Sequence, residues 1–224
     1  MRSKIPSSNI HESQKHLIQG DRIPMNRYAL FFLPCLIGLG LDLWTKHITF
    51  KTYFDPYAPQ QPLWWIDGIL GIQTSTNPGA LFGIGSGLST VFAAFSIVAL
   101  TGILAWMFLF KGAHDRWLTF ALGLVSGGIL GNFYDRIGWG HDPTWPEIIS
   151  GNVRDWIHFR LQGVPFFDPW PNFNIADSAL VCGAALLMIH AFLFYEPDSE
   201  SDNQPNLSPE SEPNPDSDGA ETSP

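Results

Sequence analysis

Four aspartates could do acid–base chemistry, because each lies at the edge of an apolar segment or in a loop between two such segments. They are Asp42, Asp135, Asp155 and Asp177. An ionisable group near a membrane core is costly unless it has a partner, so each one is a functional candidate. Two carboxylates that share one proton supply both a base and an acid and could activate water. The residue types indicate acid–base catalysis without deciding which two aspartates perform it.

Two of these aspartates also have structural interpretations. Asp42 precedes Lys46 by four residues, so the two side chains would form an ion pair on one helical face. Asp135 follows Asn132 by three residues and is followed at once by Arg136, which favours a hydrogen-bonded network at a helix end. For Asp42 and Asp135, position alone favours structural support over catalysis.

Asp177 has a similarly plain interpretation. It opens an apolar segment and is followed by Ser178, and a carboxylate at the N-terminus of a helix is a common cap. From position alone, capping is favoured over catalysis here as well.

Four transmembrane helices are the elements that would position these residues. Residues 88–110 form a run of 23 without a charge, long enough to cross a hydrocarbon core of about 30 Å. The runs 117–134 and 178–195 are uncharged for 18 residues each and contain small residues that permit close helix packing. The first span, 28–48, reaches the required length only by including Asp42 and Lys46. The sequence predicts an all-α membrane protein with four transmembrane helices.

The composition agrees with this class and excludes others. Asp, Glu, Lys and Arg make up 15% of the 224 residues, against roughly 25% in soluble globular proteins. Nine of the 21 acids lie in 196–224, and the near-neutral remainder has no basic cluster that would bind nucleic acid. Cys35 and Cys182 lie in apolar runs and suggest neither a disulfide nor a metal site. The ends, 1–27 and 196–224, are predicted to be disordered.

Lysine and arginine near the span ends predict the orientation, because positive residues are retained in the cytoplasm. Residues 1–27 carry five and the short connection 111–116 carries two, whereas the long connections 43–87 and 136–177 carry two and three. Both termini are therefore expected in the cytoplasm. We expect 43–87 to form a small extracytoplasmic β-rich subdomain, with a strand over 66–76, and 137–172 to cover the site as a mobile flap.

Five short segments occur in the order and topological place of one bacterial family, and the chain resembles lipoprotein signal peptidase, or signal peptidase II, over roughly residues 28–195. The matching segments are Asp42-Leu-Trp-Thr-Lys46, Asn77-Pro-Gly-Ala-Leu-Phe82, Gly127-Gly-Ile-Leu-Gly-Asn-Phe-Tyr-Asp-Arg136, Val153-Arg-Asp155 and Phe173-Asn-Ile-Ala-Asp177.

The resemblance implies an activity and a set of site residues. It makes Asp155 and Asp177 the catalytic pair of an aspartic endopeptidase that needs no metal and no other cofactor. Its implied substrate is a membrane-anchored, diacylglyceryl-modified prolipoprotein, cut just before the lipidated cysteine at the outer face of the bacterial inner membrane. A monomer surrounded by membrane lipid is expected. The implied binding and supporting residues are Asn77, Gly79, Asn132, Asp135, Arg136, Asn174, Asp42 and Lys46.

The chain departs from the family pattern in one place. Between Arg136 and Val153 it has a 16-residue stretch, 137–152, that is longer than the resemblance leads us to expect. We call this stretch the 137–152 connection. Beyond it, Trp156 stands where Phe is common, and His158 could contact Asp155 if that segment were helical.

Other classes fit the sequence less well. A rhomboid-type serine protease needs Gly-x-Ser-Gly within a span, and residues 84–87 do not match this pattern. A presenilin-type protease needs Gly-x-Gly-Asp, and residues 38–42 do not match that pattern. His141, Asp142 and Glu147 could be imagined as zinc ligands but lack helical histidine spacing. A transporter with a proton relay would need charged groups near mid-span, where only His190 could lie.

Overall fold

Four long helices carry the apolar segments of the chain. The computed structural model describes residues 22–79 and 85–194. All four helices are long and apolar enough to cross a membrane. The length of the second includes a π-helical turn at Ala105–Leu109. The helices are α1 (Met25–Tyr53), α2 (Ser89–Leu104), α3 (Arg116–Arg136) and α4 (Ile175–Phe194).

The four predicted spans lie on these helices, and α1 differs most from its prediction. It has 29 residues and is about 44 Å long, which exceeds a hydrocarbon core of about 30 Å. It begins at Met25, inside the segment 1–27 that was predicted to be disordered. The predictions of disorder for 1–21 and for the tail 196–224 lie outside the described residues.

The segments between the helices form a three-stranded antiparallel sheet. Its strands are β1 (Leu63–Ile66), β2 (Leu70–Asn77) and β3 (Val153–Phe159), and β2 lies in the middle. The last turns of α1 reach the sheet, where Phe50 packs with Ile72 and Trp156 in a small buried cluster. The predicted β-rich subdomain is therefore present.

The sheet corrects two predictions. A single strand over 66–76 was expected, but the chain turns at Gly68, which has a φ of 68°, and a hairpin of β1 and β2 results. The predicted flap 137–172 contains β3, whose Asp155 pairs with Ser75 of β2. The flap prediction is therefore wrong for residues 153–159, which are a structural strand.

Glycines of α3 bring it close to two other helices. A Cβ atom added at Gly127 would lie 2.7 Å from the carbonyl oxygen of Cys35 on α1. One added at Gly128 would lie 2.7 Å from the side chain of Leu180 on α4. These separations are shorter than real Cβ contacts, so only glycine permits this approach of the helices. α3 is thus the central helix, and its outer residues reach both neighbours.

The outward faces of α2 and α4 remain apolar and exposed. Phe95 and Val98 of α2 are 65% and 68% exposed, and Phe192 of α4 is 90% exposed. Such a continuous apolar surface is expected where helices face lipid.

The end of the bundle opposite the sheet has an ordinary polar connection. Asp115 caps α3 by accepting a hydrogen bond from the backbone N–H of Leu118. Its other oxygen lies 2.6 Å from Nε2 of His190. His190 is therefore paired near a helix end, which removes the mid-span position that a transporter would have required.

The helix contacts predict that Gly127→Ala destabilises the bundle. The added methyl group would force α1 and α3 apart, at a cost of about 1–3 kcal/mol. Thermal unfolding in detergent should show a lower midpoint than for the wild type. Gly102→Ala is the matched control, since a Cβ atom there meets nothing within 4 Å; equal midpoints for the two variants would contradict the proposed close packing.

Candidate active site

Lys46 lies at the centre of a buried group of charges at the sheet end of the bundle. Its Nζ is 2.7 Å from Oδ2 of Asp42 and 3.0 Å from Oδ2 of Asp135. All three side chains are 0% exposed. The predicted Asp42–Lys46 ion pair is present, and it joins α1 to α3 because Asp135 is its second anion.

A fourth charge, Arg154, completes the group. Its Nε and Nη2 each lie 2.8 Å from Oδ1 of Asp135, and its backbone N–H donates to Oδ2 of the same carboxylate. Two cations thus balance two carboxylates, which makes their burial tolerable. The group also reaches α4, because Oδ1 of Asp42 accepts a hydrogen bond from the backbone N–H of Ala176.

Asn132 and Asn174 connect this group to the two aspartates implied by the family resemblance. The Oδ1 of Asn132 accepts from Lys46 at 3.1 Å and from Asn174 at 3.1 Å. Its Nδ2 donates to Oδ1 of Asp177 at 2.7 Å. Asn174 Nδ2 donates to Oδ1 of Asp155, also at 2.7 Å. The two asparagines therefore place both aspartates in one hydrogen-bonded network.

The start of α4 fixes Asp177. The backbone N–H of Asn174 donates to Oδ2 of Asp177, while the backbone N–H of Asp177 donates to Oδ1 of Asn174. This reciprocal pair is a capping box, so the capping role inferred for Asp177 is real. Its second oxygen is held by Asn132, and the carboxylate therefore has a fixed direction.

Asp155 lies on β3 and is only 2% exposed. Burial, and secondly the nearby carboxylate of Asp177, raise the pKa of Asp155 to about 8. Lys46 and hydrogen bonds with Asn174 and Asn77 oppose this shift in the pKa. A carboxyl group with this pKa keeps its proton at neutral pH, which lets it act as a hydrogen-bond donor or an acid.

Arg136 has a different role from the one that its neighbour Asp135 suggested. Its guanidinium donates to the backbone oxygens of Asn77 and Gly79 and, at 3.2 Å, to the hydroxyl of Ser89. The predicted hydrogen-bonded network at the end of α3 is present, since Asp135 and Asn132 both contact Lys46, but the cation beside Asp135 is Arg154 and not Arg136. Arg136 instead connects the end of β2 to the start of α2.

A cavity of about 770 Å³ begins at this polar end and runs between α2, α3 and α4. Its polar wall includes five of the predicted site residues. The remaining wall is mainly apolar, with Phe92 and Phe95 of α2 and Leu180 and Val181 of α4. The five predicted site residues are Asn77, Gly79, Asn132, Arg136 and Asp177.

The other predicted residues lie behind this wall. Asp155 and Asn174 do not line the cavity but contact residues that do, and Asp42, Lys46 and Asp135 form the buried charge group. Sequence reasoning missed Arg154 as a member of that group. Its only sequence signal was its position next to Asp155.

The structure also places His158 and the three residues that were weighed as zinc ligands. His158 cannot meet Asp155 across a helical turn because the segment is the strand β3, and its Nδ1 instead lies 2.8 Å from Oδ1 of Asn172. Of the imagined zinc ligands, Asp142 binds Thr144, and His141 lies 3.9 Å from Glu147. Within residues 22–79 and 85–194, no three His, Cys, Asp or Glu side chains are grouped as a metal site.

The sequence of this chain is similar to one family over most of its length. A family model described as signal peptidase (SPase) II matches residues 35–193. A lipoprotein signal peptidase of Rhodopirellula baltica is 48% identical over 174 residues, which cover 78% of this chain and 76% of the relative. The chain belongs to the signal peptidase II family. A lipoprotein signal peptidase of Geobacillus thermodenitrificans is 31% identical, over 77% of this chain and 95% of that relative.

Solved structures also show a similar fold. Two bacterial membrane enzymes whose structures were solved by the in meso method, at 2.3 and 1.9 Å resolution, superpose with TM-scores of 0.59 and 0.57. They are 28% and 29% identical to this chain and match 79% and 74% of it, and 93% and 92% of their own length. As a signal peptidase II, the chain is a peptidase and a multi-pass membrane protein.

The buried charges predict a large loss of stability in Lys46→Met. The substitution leaves Asp42 and Asp135 without their shared cation, and removing one partner of a buried ion pair costs about 3–5 kcal/mol. The midpoint of thermal unfolding in detergent should fall accordingly. Arg160→Gln, which removes a partly exposed ion pair with Asp168, should leave the midpoint almost unchanged. A small effect of Lys46→Met on the midpoint would mean that water reaches the buried charge group.

Proposed function

We propose that this signal peptidase II is an aspartic endopeptidase that uses Asp155 and Asp177 to cleave diacylglyceryl-modified prolipoproteins. The observation that carries the proposal is the shared network of the two aspartates. Asp177 lines the cavity with a fixed carboxylate, and Asp155 lies directly behind Asn77 with a raised pKa. Two carboxyl groups in such unequal surroundings can divide the roles of base and acid.

Water is the nucleophile in the proposed reaction. The Asp177 carboxylate accepts a proton from water as the oxygen attacks the carbonyl carbon of the scissile peptide bond. The protonated Asp155, which the bound substrate reaches past the side chain of Asn77, donates a hydrogen bond to the carbonyl oxygen, which becomes negative in the tetrahedral intermediate. When the intermediate collapses, the leaving amine takes up the proton that Asp177 received. No bond forms between enzyme and substrate.

The cavity suits a substrate that is partly lipid. Its polar end would hold the peptide bond beside Asp177, and the apolar walls from α2 and α4 would contact acyl chains or an apolar signal peptide. A cut just before the lipidated cysteine places the bond at the boundary between these two environments. With the termini in the cytoplasm, as the distribution of Lys and Arg predicts, this boundary is the outer face of the inner membrane.

The first test is cleavage of a lipidated substrate by the purified, detergent-solubilised enzyme. A diacylglyceryl-modified prolipoprotein and its unlipidated form are incubated separately and examined by gel shift. We expect cleavage of the lipidated form only, unaffected by a metal chelator. Cleavage of both forms, or of neither by a folded enzyme, would contradict the proposed specificity.

The same assay tests the two aspartates. Asp155→Asn and Asp177→Asn should each lower turnover by roughly 10²- to 10⁴-fold, the contribution of a general acid or base. Asp168→Asn is the matched control, because Asp168 pairs with Arg160 on the exposed loop and does not line the cavity. Near-normal turnover in either active-site variant would refute the catalytic pair, while a loss in all three would point to a folding defect.

The pKa of Asp155 predicts two effects of pH. Turnover should fall as pH rises through about 8, because Asp155 then loses the proton that it donates. Stability should also fall between the ordinary value of 3.8 and about 8, since the unfolded chain releases this proton over that range and the folded chain keeps it. Thermal unfolding of Asp155→Asn across this range should show a smaller decline; an unchanged decline would assign the effect to another group.

A further inference from the structure

The 137–152 connection touches the buried charge group directly at Gly140. A Cβ atom added at Gly140 would lie 2.7 Å from Nη2 of Arg154 and even closer to Oδ1 of Asp135. The backbone of the connection therefore lies against the ion pair of these two residues. A side chain of any size at this position would have to displace one of them.

Trp145 provides a second contact five residues later. Its ring lies 4.9 Å from the ring of Phe54 and 5.8 Å from that of Phe50, measured between centroids. The guanidinium of Arg154 lies over the same Phe50 ring, 5.9 Å from its centroid. Arg154 is thus enclosed by Asp135, by Phe50 and by the backbone at Gly140.

A short turn joins the two contacts into one unit. The backbone N–H of Trp145 donates to the carbonyl oxygen of Asp142, and the Asp142 side chain accepts from the backbone N–H of Thr144. The ring of His141 lies edge-on to Trp145, with 6.1 Å between centroids. Gly140 and Trp145 therefore have a fixed separation, although much of the connection is exposed.

Arg154 is where these contacts meet, and it immediately precedes Asp155. The backbone N–H of Arg154 donates to Asp135, and Thr76 of β2 is its partner across the sheet. A shift of the Arg154 side chain or backbone would move the neighbouring Asp155 relative to Asp177. Displacements of about 1 Å from mutations far from the chemistry can reduce rates by as much as about 10²-fold.

From these contacts we propose that the 137–152 connection is a positioning element, in which Gly140 and Trp145 hold Arg154 against Asp135 and so fix Asp155 for catalysis. This inference depends on the proposed catalytic role of Asp155. Gly140 and Trp145 do not line the cavity, so they act through Arg154 and not on the substrate.

The principal test compares Trp145→Ala with Trp145→Phe. Loss of the ring should lower kcat about tenfold while KM changes by less than about threefold, because the misplaced group acts on the transition state and not on binding. Trp145→Phe keeps an aromatic contact with Phe50 and should restore most of kcat. Trp139→Ala is the control, since Trp139 belongs to the same connection, is 70% exposed and packs on Tyr134.

Gly140→Ala is a second, independent test that does not remove a core side chain. It should lower kcat as Trp145→Ala does, while Gly102→Ala, which adds the same methyl group in open space, should not. If Trp145→Ala does not fold, this pair decides the question. The double variant Trp145→Ala/Phe50→Leu should lose no more activity than Phe50→Leu alone, because Trp145 acts through Phe50.

Normal kcat in folded Trp145→Ala and Gly140→Ala would overturn the inference, as would a rise in KM with kcat unchanged. A tenfold loss in Trp139→Ala as well would assign the effect to the general fold of the connection and would also overturn it. The catalytic proposal fails separately. If Asp155→Asn is inactive and these variants are normal, only the positioning role is lost; if Asp155→Asn is active, the proposed function itself is wrong.

Discussion

The arrangement of the site depends on the burial of Lys46 between two carboxylates. Lys46 and Asp42 belong to α1, and Asp135 belongs to α3, so the ion pairs fix the relative position of these helices. Such a cation is costly to bury unless its partners remain in place. Glycines bring α3 close to both α1 and α4. This close packing also lets Asp42 of α1 accept a hydrogen bond from the backbone of Ala176 on α4. Helix packing and charge pairing therefore require each other.

This arrangement was predictable from the sequence only in part. The apolar runs predict the four helices, since spanning a membrane requires length and low charge, which can be counted directly. The helical spacing of Asp42 and Lys46 predicts their ion pair. The second partner of Lys46 could not be derived in this way, because Asp135 is 89 residues away and its position depends on how the helices pack.

The errors have the same physical origin. Arg136 was expected in the network of Asp135 because the two are adjacent, but successive residues of a helix point in different directions, so Arg136 faces β2 and α2. The strand β3 was placed in a flap because a short segment with charges shows no clear period. Its pairing with β2 is made by the backbone and leaves little trace in the side chains. The sequence predicted local structure better than it predicted contacts between residues far apart in the chain.

The two aspartates differ because the elements that carry them differ. Asp177 lies in the first turn of a helix, where backbone N–H groups and the helix dipole favour a negative charge. Asp155 lies on a buried strand, where burial raises its pKa although Asn174 and Asn77 form hydrogen bonds with it. The capping box and the strand thus give the two carboxyl groups unequal surroundings. Lys46 donates to Asn132, which in turn donates to Asp177, and Arg154 immediately precedes Asp155 in the chain. The buried group of two cations and two carboxylates is therefore connected to both Asp155 and Asp177.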